Sequence, residues 1–125
     1  MKTQIVTDRA PKPSGAYSQG ILMNGWLFTA GISPVDPDTG KVVEPTIEAQ
    51  TTQVIRNLEG ILQAANMTVD SVAKVTVHLA QRDRDFAAFD ATYRNFFREP
   101  FPVRTTVGSQ LPGILVEIDF IAGPV

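Results

Sequence analysis

The sequence predicts an α+β fold, a two-layer sandwich in which one mixed β-sheet carries two helices on the same face. Three observations support this prediction: the elements run as several strands, helix, strand, helix and two strands; two segments have helical periodicity; and apolar residues alternate with polar ones in 72–79, 103–107 and 116–121. The 125 residues have the length of one domain, spanning residues 1–125. Helices on one face leave the other face uncovered, and oligomerisation is its simplest cover.

The first part of the chain predicts short strands joined by tight turns. Asn24-Gly25 separates two β-like runs and is typical of a two-residue hairpin turn. A loop rich in proline and glycine precedes these runs. The predicted elements are strands over 2–6, 17–23 and 26–32 and a turn over 36–40.

A helix is predicted from Thr46 to Ala65, because apolar side chains recur there with a period close to 3.6 residues. Thr46 is a suitable N-cap, and Glu48 lies in the first turn, where the helix dipole favours a negative charge. Residues 72–79 then alternate between apolar and polar types. This alternation predicts a half-buried strand.

A second helix is predicted from Asp83, as its cap, to Phe97. Aromatic residues at spacings of three and four predict a buried seam made of Phe86, Phe89, Tyr93 and Phe96. Two prolines then end the helix. The remaining predicted elements are strands near 103–107 and 115–121.

The composition excludes several classes of function. The chain has 11 Lys+Arg, 13 Asp+Glu and a net charge of −2, so a nucleic-acid partner is unlikely on charge grounds. There is no cysteine, and His78 is the single histidine, so we expect no metal and no thiol chemistry. We also expect no membrane span and a cytoplasmic location, since no long apolar run or signal peptide is present.

Period-two alternation in the last two strands indicates which residues face away from the core. Arg104 and Thr106 alternate with valines and a threonine, and Glu117 and Asp119 alternate with apolar residues. If the apolar sets meet the helices, all four polar residues lie together on the open face of the sheet. An arginine and a glutamate there are either a solvated ion pair, worth about 0–1 kcal/mol, or a site for a small anion. Spacing alone favours the solvated ion pair.

Several short segments, distributed along the chain from Ala10 to Asp119, together form a characteristic sequence pattern. These segments are Ala10-Pro11, Gly15-Ala16-Tyr17-Ser18-Gln19-Gly20, Phe28-Thr29-Ala30-Gly31 with Pro34, Ala91-Thr92-Tyr93 with Phe96-Phe97, Phe101-Pro102-Val103-Arg104-Thr105-Thr106-Val107, Leu111-Pro112 and Val116-Glu117-Ile118-Asp119. With them, the chain resembles the RidA family, also called YjgF or L-PSP, over nearly its entire length.

The resemblance implies a chorismate-mutase-like fold assembled as a homotrimer, with pockets between subunits. Many members hydrolyse 2-imino acids to 2-keto acids and ammonia without a metal or cofactor. By the resemblance, Arg104 binds the substrate carboxylate and Glu117 positions the water. Tyr17, Ala30, Gly31 and Thr106 are the remaining substrate-binding positions, and a small imino or keto acid is the expected partner.

The chain departs from the family pattern at three positions. Ala30 and Thr106 stand where a serine and a cysteine are common, and Asp90 stands where an asparagine is common. Two alternatives therefore stay open beside small imino acids: deamination of a larger enamine such as 2-aminomuconate, and a non-catalytic module that binds 2-keto acids or amino acids. Some family members are described as ribonucleases, a role that a net charge of −2 disfavours.

Overall fold

One six-stranded sheet and two α-helices make up most of residues 1–124, the part of the chain that this computed structural model describes. The helices pack against one face of the sheet, as the sequence predicts. The elements are β1 (Lys2–Ile5), β2 (Gly20–Met23), β3 (Trp26–Thr29), β4 (Val35–Asp36), β5 (Lys41–Val42), α1 (Ile47–Ala64), β6 (Val72–Leu79), α2 (Arg82–Tyr93), β7 (Val103–Gly108) and β8 (Val116–Ala122).

The strand order in the sheet is β1-β2-β3-β8-β6-β7, so β7 is an edge strand. The sheet is mixed, because β6 and β7 run parallel and the other neighbours run antiparallel. Asn24 and Gly25, both with positive φ, form the predicted hairpin turn between β2 and β3. The predicted 36–40 turn joins β4 and β5, a separate two-stranded ribbon that the sequence analysis did not anticipate.

Helix α1 forms as predicted and contributes much of the core. The Thr46 hydroxyl accepts a hydrogen bond from the Ala49 N–H at 3.2 Å, which confirms Thr46 as the N-cap. The apolar stripe of α1 is fully buried against the sheet at Val54, Ile55, Leu58, Ile61 and Leu62. Neither helix within residues 1–124 is long and apolar enough to cross a membrane.

Helix α2 differs from its prediction at both ends. Its N-cap is Gln81 and not Asp83, which lies inside the helix, and the helix ends at Tyr93 instead of Phe97. The chain turns after Tyr93, so Phe97 replaces Phe96 in the aromatic seam. The ring centroids of Phe97 and Tyr93 are 4.5 Å apart, and those of Tyr93 and Phe89 are 5.5 Å apart.

Candidate functional site

Strand β7 presents Arg104 and Thr106 to the helix side of the sheet, so their predicted orientation is wrong. Their partners in β6 are the buried Val75 and Val77, and neighbouring residues in a sheet share a face. The valine expected in the core, Val103, is 65% exposed. The physical reason is that α2 covers this edge with aromatic rings, against which a guanidinium packs well.

Glu117 lies on the opposite, open face of the sheet, as alternation along β8 predicts. Its partner in β6 is His78, which is three positions from Val75, the partner of Arg104. Residues an odd number of positions apart in a strand point to opposite faces. Arg104 and Glu117 of one chain are thus separated by the sheet, and the expectation that they share a face is wrong.

Arg104 lines a small pocket of about 270 Å³ on the helix side. We call it the arginine pocket, formed by Asp90, Tyr93, Arg94, Phe101, Pro102 and Arg104. The Arg104 side chain is 20% exposed, and its guanidinium carbon lies 4.7 Å from the centre of the Tyr93 ring. A half-buried arginine beside a cavity can hold a small carboxylate.

The pKa values of two residues that neighbour Arg104 are shifted in the arginine pocket. Burial opposes ionisation of Asp90, but hydrogen bonds and positive charge from Arg104 and Arg94 outweigh it and lower the pKa of Asp90. Burial raises the pKa of Tyr93 to about 12, so its phenol stays protonated. Within residues 1–124, the Tyr93 hydroxyl has no hydrogen-bond partner.

Glu117 lies under Gly31, in a region that we call the glutamate site and define by Tyr17, Gly31 and Glu117. A methyl group added at Gly31 would lie 2.9 Å from the Glu117 carboxylate. The Glu117 charge also acts on the Tyr17 phenol, although hydrogen bonds from Ser14 dominate and lower the pKa of Tyr17. Tyr17 and Gly31 line a groove of about 620 Å³.

Gln19 anchors the loop that carries Tyr17, a role that the sequence analysis missed. Its side-chain oxygen accepts from the Thr7 N–H at 2.8 Å, and its nitrogen donates to the carbonyl oxygens of Thr7, Ala10 and Pro11 at 3.0, 3.2 and 2.9 Å. The side chain is buried, so these bonds compensate its lost hydration. The available signal was a glutamine placed between Ser18 and Gly20 within a β-like run.

The two remaining predicted positions, Ala30 and Thr106, lie in different parts of the structure. Ala30 precedes Gly31, and its N–H donates to the Gln19 carbonyl at 3.0 Å. Thr106 lies two residues after Arg104 in β7, and its carbonyl accepts from Arg82 at 3.4 Å. The structure therefore brings Tyr17, Gly31 and Glu117 together, whereas the Ala30 side chain packs against the core and Arg104 and Thr106 lie elsewhere.

Replacing Gly31 with alanine tests how closely the backbone must approach Glu117. The new methyl group would displace a flexible carboxylate, so we expect a small loss of stability. The carboxylate would move by a few tenths of an ångström or more, and for the imine hydrolysis that the family resemblance implies we expect kcat to fall by about tenfold or more. Steady-state kinetics and urea unfolding of Gly31→Ala measure the two effects; an unchanged kcat would contradict the stated role of Gly31.

The two regions have complementary chemistry. The arginine pocket offers a cation and aromatic surface, and the glutamate site offers a carboxylate and a half-exposed phenol beside an open groove. Among residues 1–124, no three His, Asp or Glu side chains gather closely enough to hold a metal ion. The side chains present are suited to acid–base chemistry on a small anionic molecule.

Comparison with known proteins places this arrangement in context. The family model described as Endoribonuclease L-PSP matches residues 7–123. A RutC family protein of Pyrococcus horikoshii is 45% identical over 124 residues, with 98% of each chain covered. The 2-iminobutanoate/2-iminopropanoate deaminase of Salmonella typhimurium is 39% identical over 127 residues, again with 98% of each covered. The crystal structure of a Rid family protein from Yersinia pestis, 40% identical, superposes with a TM-score of 0.94 and covers 98% of this chain and 99% of that chain.

Proposed function

This chain belongs to the Endoribonuclease L-PSP family, known also as the RidA or YjgF family, and on that premise we propose that it deaminates small 2-imino and enamine acids by hydrolysis. The products are a 2-keto acid and ammonia. The observation that carries the proposal is the complementary chemistry of two regions, the arginine pocket with Arg104 and the glutamate site with Glu117. The likeness to the Salmonella deaminase over 98% of both chains supports the choice of substrate.

Two copies of the chain build each active site in this proposal. Arg104 and Glu117 of one chain are separated by the sheet, since Arg104 lies beside Val75 and Glu117 beside His78. A small substrate that contacts both residues must therefore take them from different copies. A homotrimer supplies such shared sites three times over.

The open face of the sheet supports assembly with further copies of this chain. One row across this face runs through Ile21, Phe28, Ile121, Lys74 and Val103. Phe28 is 45% exposed and Val103 is 65% exposed, although both are large and apolar. Burying apolar area of this kind is the main driving force for association.

In this mechanism the arginine pocket and the glutamate site have different tasks. Arg104 binds the substrate carboxylate through charge-assisted hydrogen bonds, each contributing about 1.5–3 kcal/mol. Glu117 accepts a proton from water, whose oxygen attacks the carbon of the protonated imine, and then returns that proton to the amine nitrogen of the tetrahedral intermediate. The carbon–nitrogen bond then breaks, ammonia leaves, and the new hydroxyl group gives up its own proton to Glu117 as the carbonyl of the 2-keto acid forms. An enamine first isomerises to the imine.

An imine-trapping assay tests the proposal. An amino-acid oxidase generates 2-iminobutanoate in the cuvette, and semicarbazide captures whatever imine remains. We expect the protein to lower the yield of semicarbazone in proportion to its concentration. An unchanged yield at micromolar protein, with 2-iminopropanoate giving the same result, would overturn the proposal.

A further inference from the structure

The guanidinium of Arg104 is already paired with a carboxylate of its own chain. Arg104 Nη1 lies 2.9 Å from Asp90 Oδ1, and both side chains are mostly buried, at 20% and 23% exposure. The second oxygen of Asp90 accepts from Arg94 Nε at 3.1 Å. A substrate carboxylate that reaches Arg104 therefore arrives beside a fixed negative charge.

Aromatic rings keep this ion pair in one arrangement. The guanidinium carbon of Arg104 lies 5.4 Å from the centre of Phe89 and 4.7 Å from the centre of Tyr93. These contacts hold the guanidinium against α2, the helix that also carries Asp90. Arg104 keeps further N–H donors, and a carboxylate has lone pairs for more than two donors.

A molecule that carries both charges suits this pair better than a simple anion does. In a protonated 2-imino acid, a carboxylate is attached directly to the carbon of an iminium group, so the negative and positive groups are neighbours. The carboxylate can reach Arg104 while the iminium N–H reaches Asp90. A 2-keto acid has the same carboxylate but a carbonyl oxygen in place of the N–H, and this oxygen faces Asp90 unfavourably.

We propose that Asp90 is a specificity-determining residue that makes the arginine pocket select zwitterionic ligands, the iminium form of the substrate among them, over the anionic 2-keto acid. The inference rests on the proposed role of Arg104 as the carboxylate-binding residue. Asp90 stabilises the positive charge that makes the imine carbon more electrophilic. It also weakens binding of the product, which carries only the negative charge.

Two stable ligands that share the same carbon skeleton test the proposal. 2-Aminobutanoate is a zwitterion and 2-oxobutanoate is an anion, and calorimetry or ligand-observed NMR measures their dissociation constants for the assembled protein. Asp90→Asn keeps the shape and one acceptor for Arg104 but removes the charge. We expect it to tighten 2-oxobutanoate by about tenfold and to weaken 2-aminobutanoate by about tenfold.

Asp83→Asn is the matched control, because it removes one negative charge from the exposed first turn of the same helix. It is expected to leave both constants unchanged. If Asp90→Asn shifts both probes by the same factor, or neither, while Arg104→Ala abolishes their binding, the role of Asp90 is wrong and the role of Arg104 stands. If Arg104→Ala leaves binding of both probes intact, the proposed carboxylate site itself is wrong.

Discussion

Arg104→Lys is expected to lower kcat/KM for 2-iminobutanoate by about 100-fold. The guanidinium presents several donors in a planar fork, and lysine replaces the fork with a single point charge. Losing about 2.7 kcal/mol of charge-assisted hydrogen bonding corresponds to that factor. Lysine also loses the packing of the guanidinium against Tyr93, whose ring centre lies 4.7 Å from the guanidinium carbon. Initial rates in the imine-trapping assay measure the effect.

Arg98→Lys is the matched control for this substitution. Arg98 also forms a two-pronged pair with a carboxylate, since its Nε and Nη2 donate to Asp70 at 3.1 and 2.5 Å, but it lies outside the arginine pocket. We expect the kcat/KM of Arg98→Lys to stay within about twofold of wild type. Arg98 lies outside the pocket, and its exposed ion pair contributes little to the stability of the fold. Full activity of Arg104→Lys would show that Arg104 does not bind the substrate carboxylate.

Glu117→Gln is expected to lower kcat by about 10²- to 10⁴-fold, the usual range for loss of a general base. The amide has the shape of the carboxylate but cannot accept the proton of the attacking water. Binding of 2-oxobutanoate should change by less than about threefold, because the proposed mechanism assigns carboxylate recognition to Arg104. Turnover and ligand titration separate the two effects.

Glu44→Gln serves as the control for Glu117→Gln, since it makes the same change at an exposed position before α1. It should retain wild-type kcat. A Glu117→Gln variant that keeps wild-type kcat would exclude Glu117 as the general base. A different outcome is that the wild-type protein itself does not turn over imino acids but still binds 2-oxobutanoate. In that case the protein acts as a binding module.

Local sequence signals predicted most of the fold. Asn24-Gly25 and Thr46 carry strong backbone preferences, and the structure confirms the hairpin and the helix cap. The Gln81 start of α2 was harder to predict, because its side chain makes no capping hydrogen bond within residues 1–124. Without a capping side chain, Asp83 was the more conspicuous signal in the sequence.

The orientation of β7 shows where alternation fails as a guide to the site. Strand β8 has neighbours on both sides, and its apolar residues Val116, Ile118 and Phe120 are buried as predicted. Strand β7 is an edge strand, and its helix side meets aromatic rings that accept a guanidinium. Alternation along β7 separates its two faces, but tertiary packing against α2 decides which face meets the helices.

In the proposed mechanism, each active site takes Arg104 from one copy of the chain and Glu117 from another. Its most direct test mixes the Arg104→Ala and Glu117→Gln variants, each inactive alone, under conditions in which subunits exchange. We expect equal mixing to restore about a quarter of wild-type activity, the fraction of sites that receive both intact residues in a closed ring. Native mass spectrometry confirms that mixed oligomers have formed. Mixed oligomers with no more activity than the separate variants would show that the two residues do not act in one site shared between subunits.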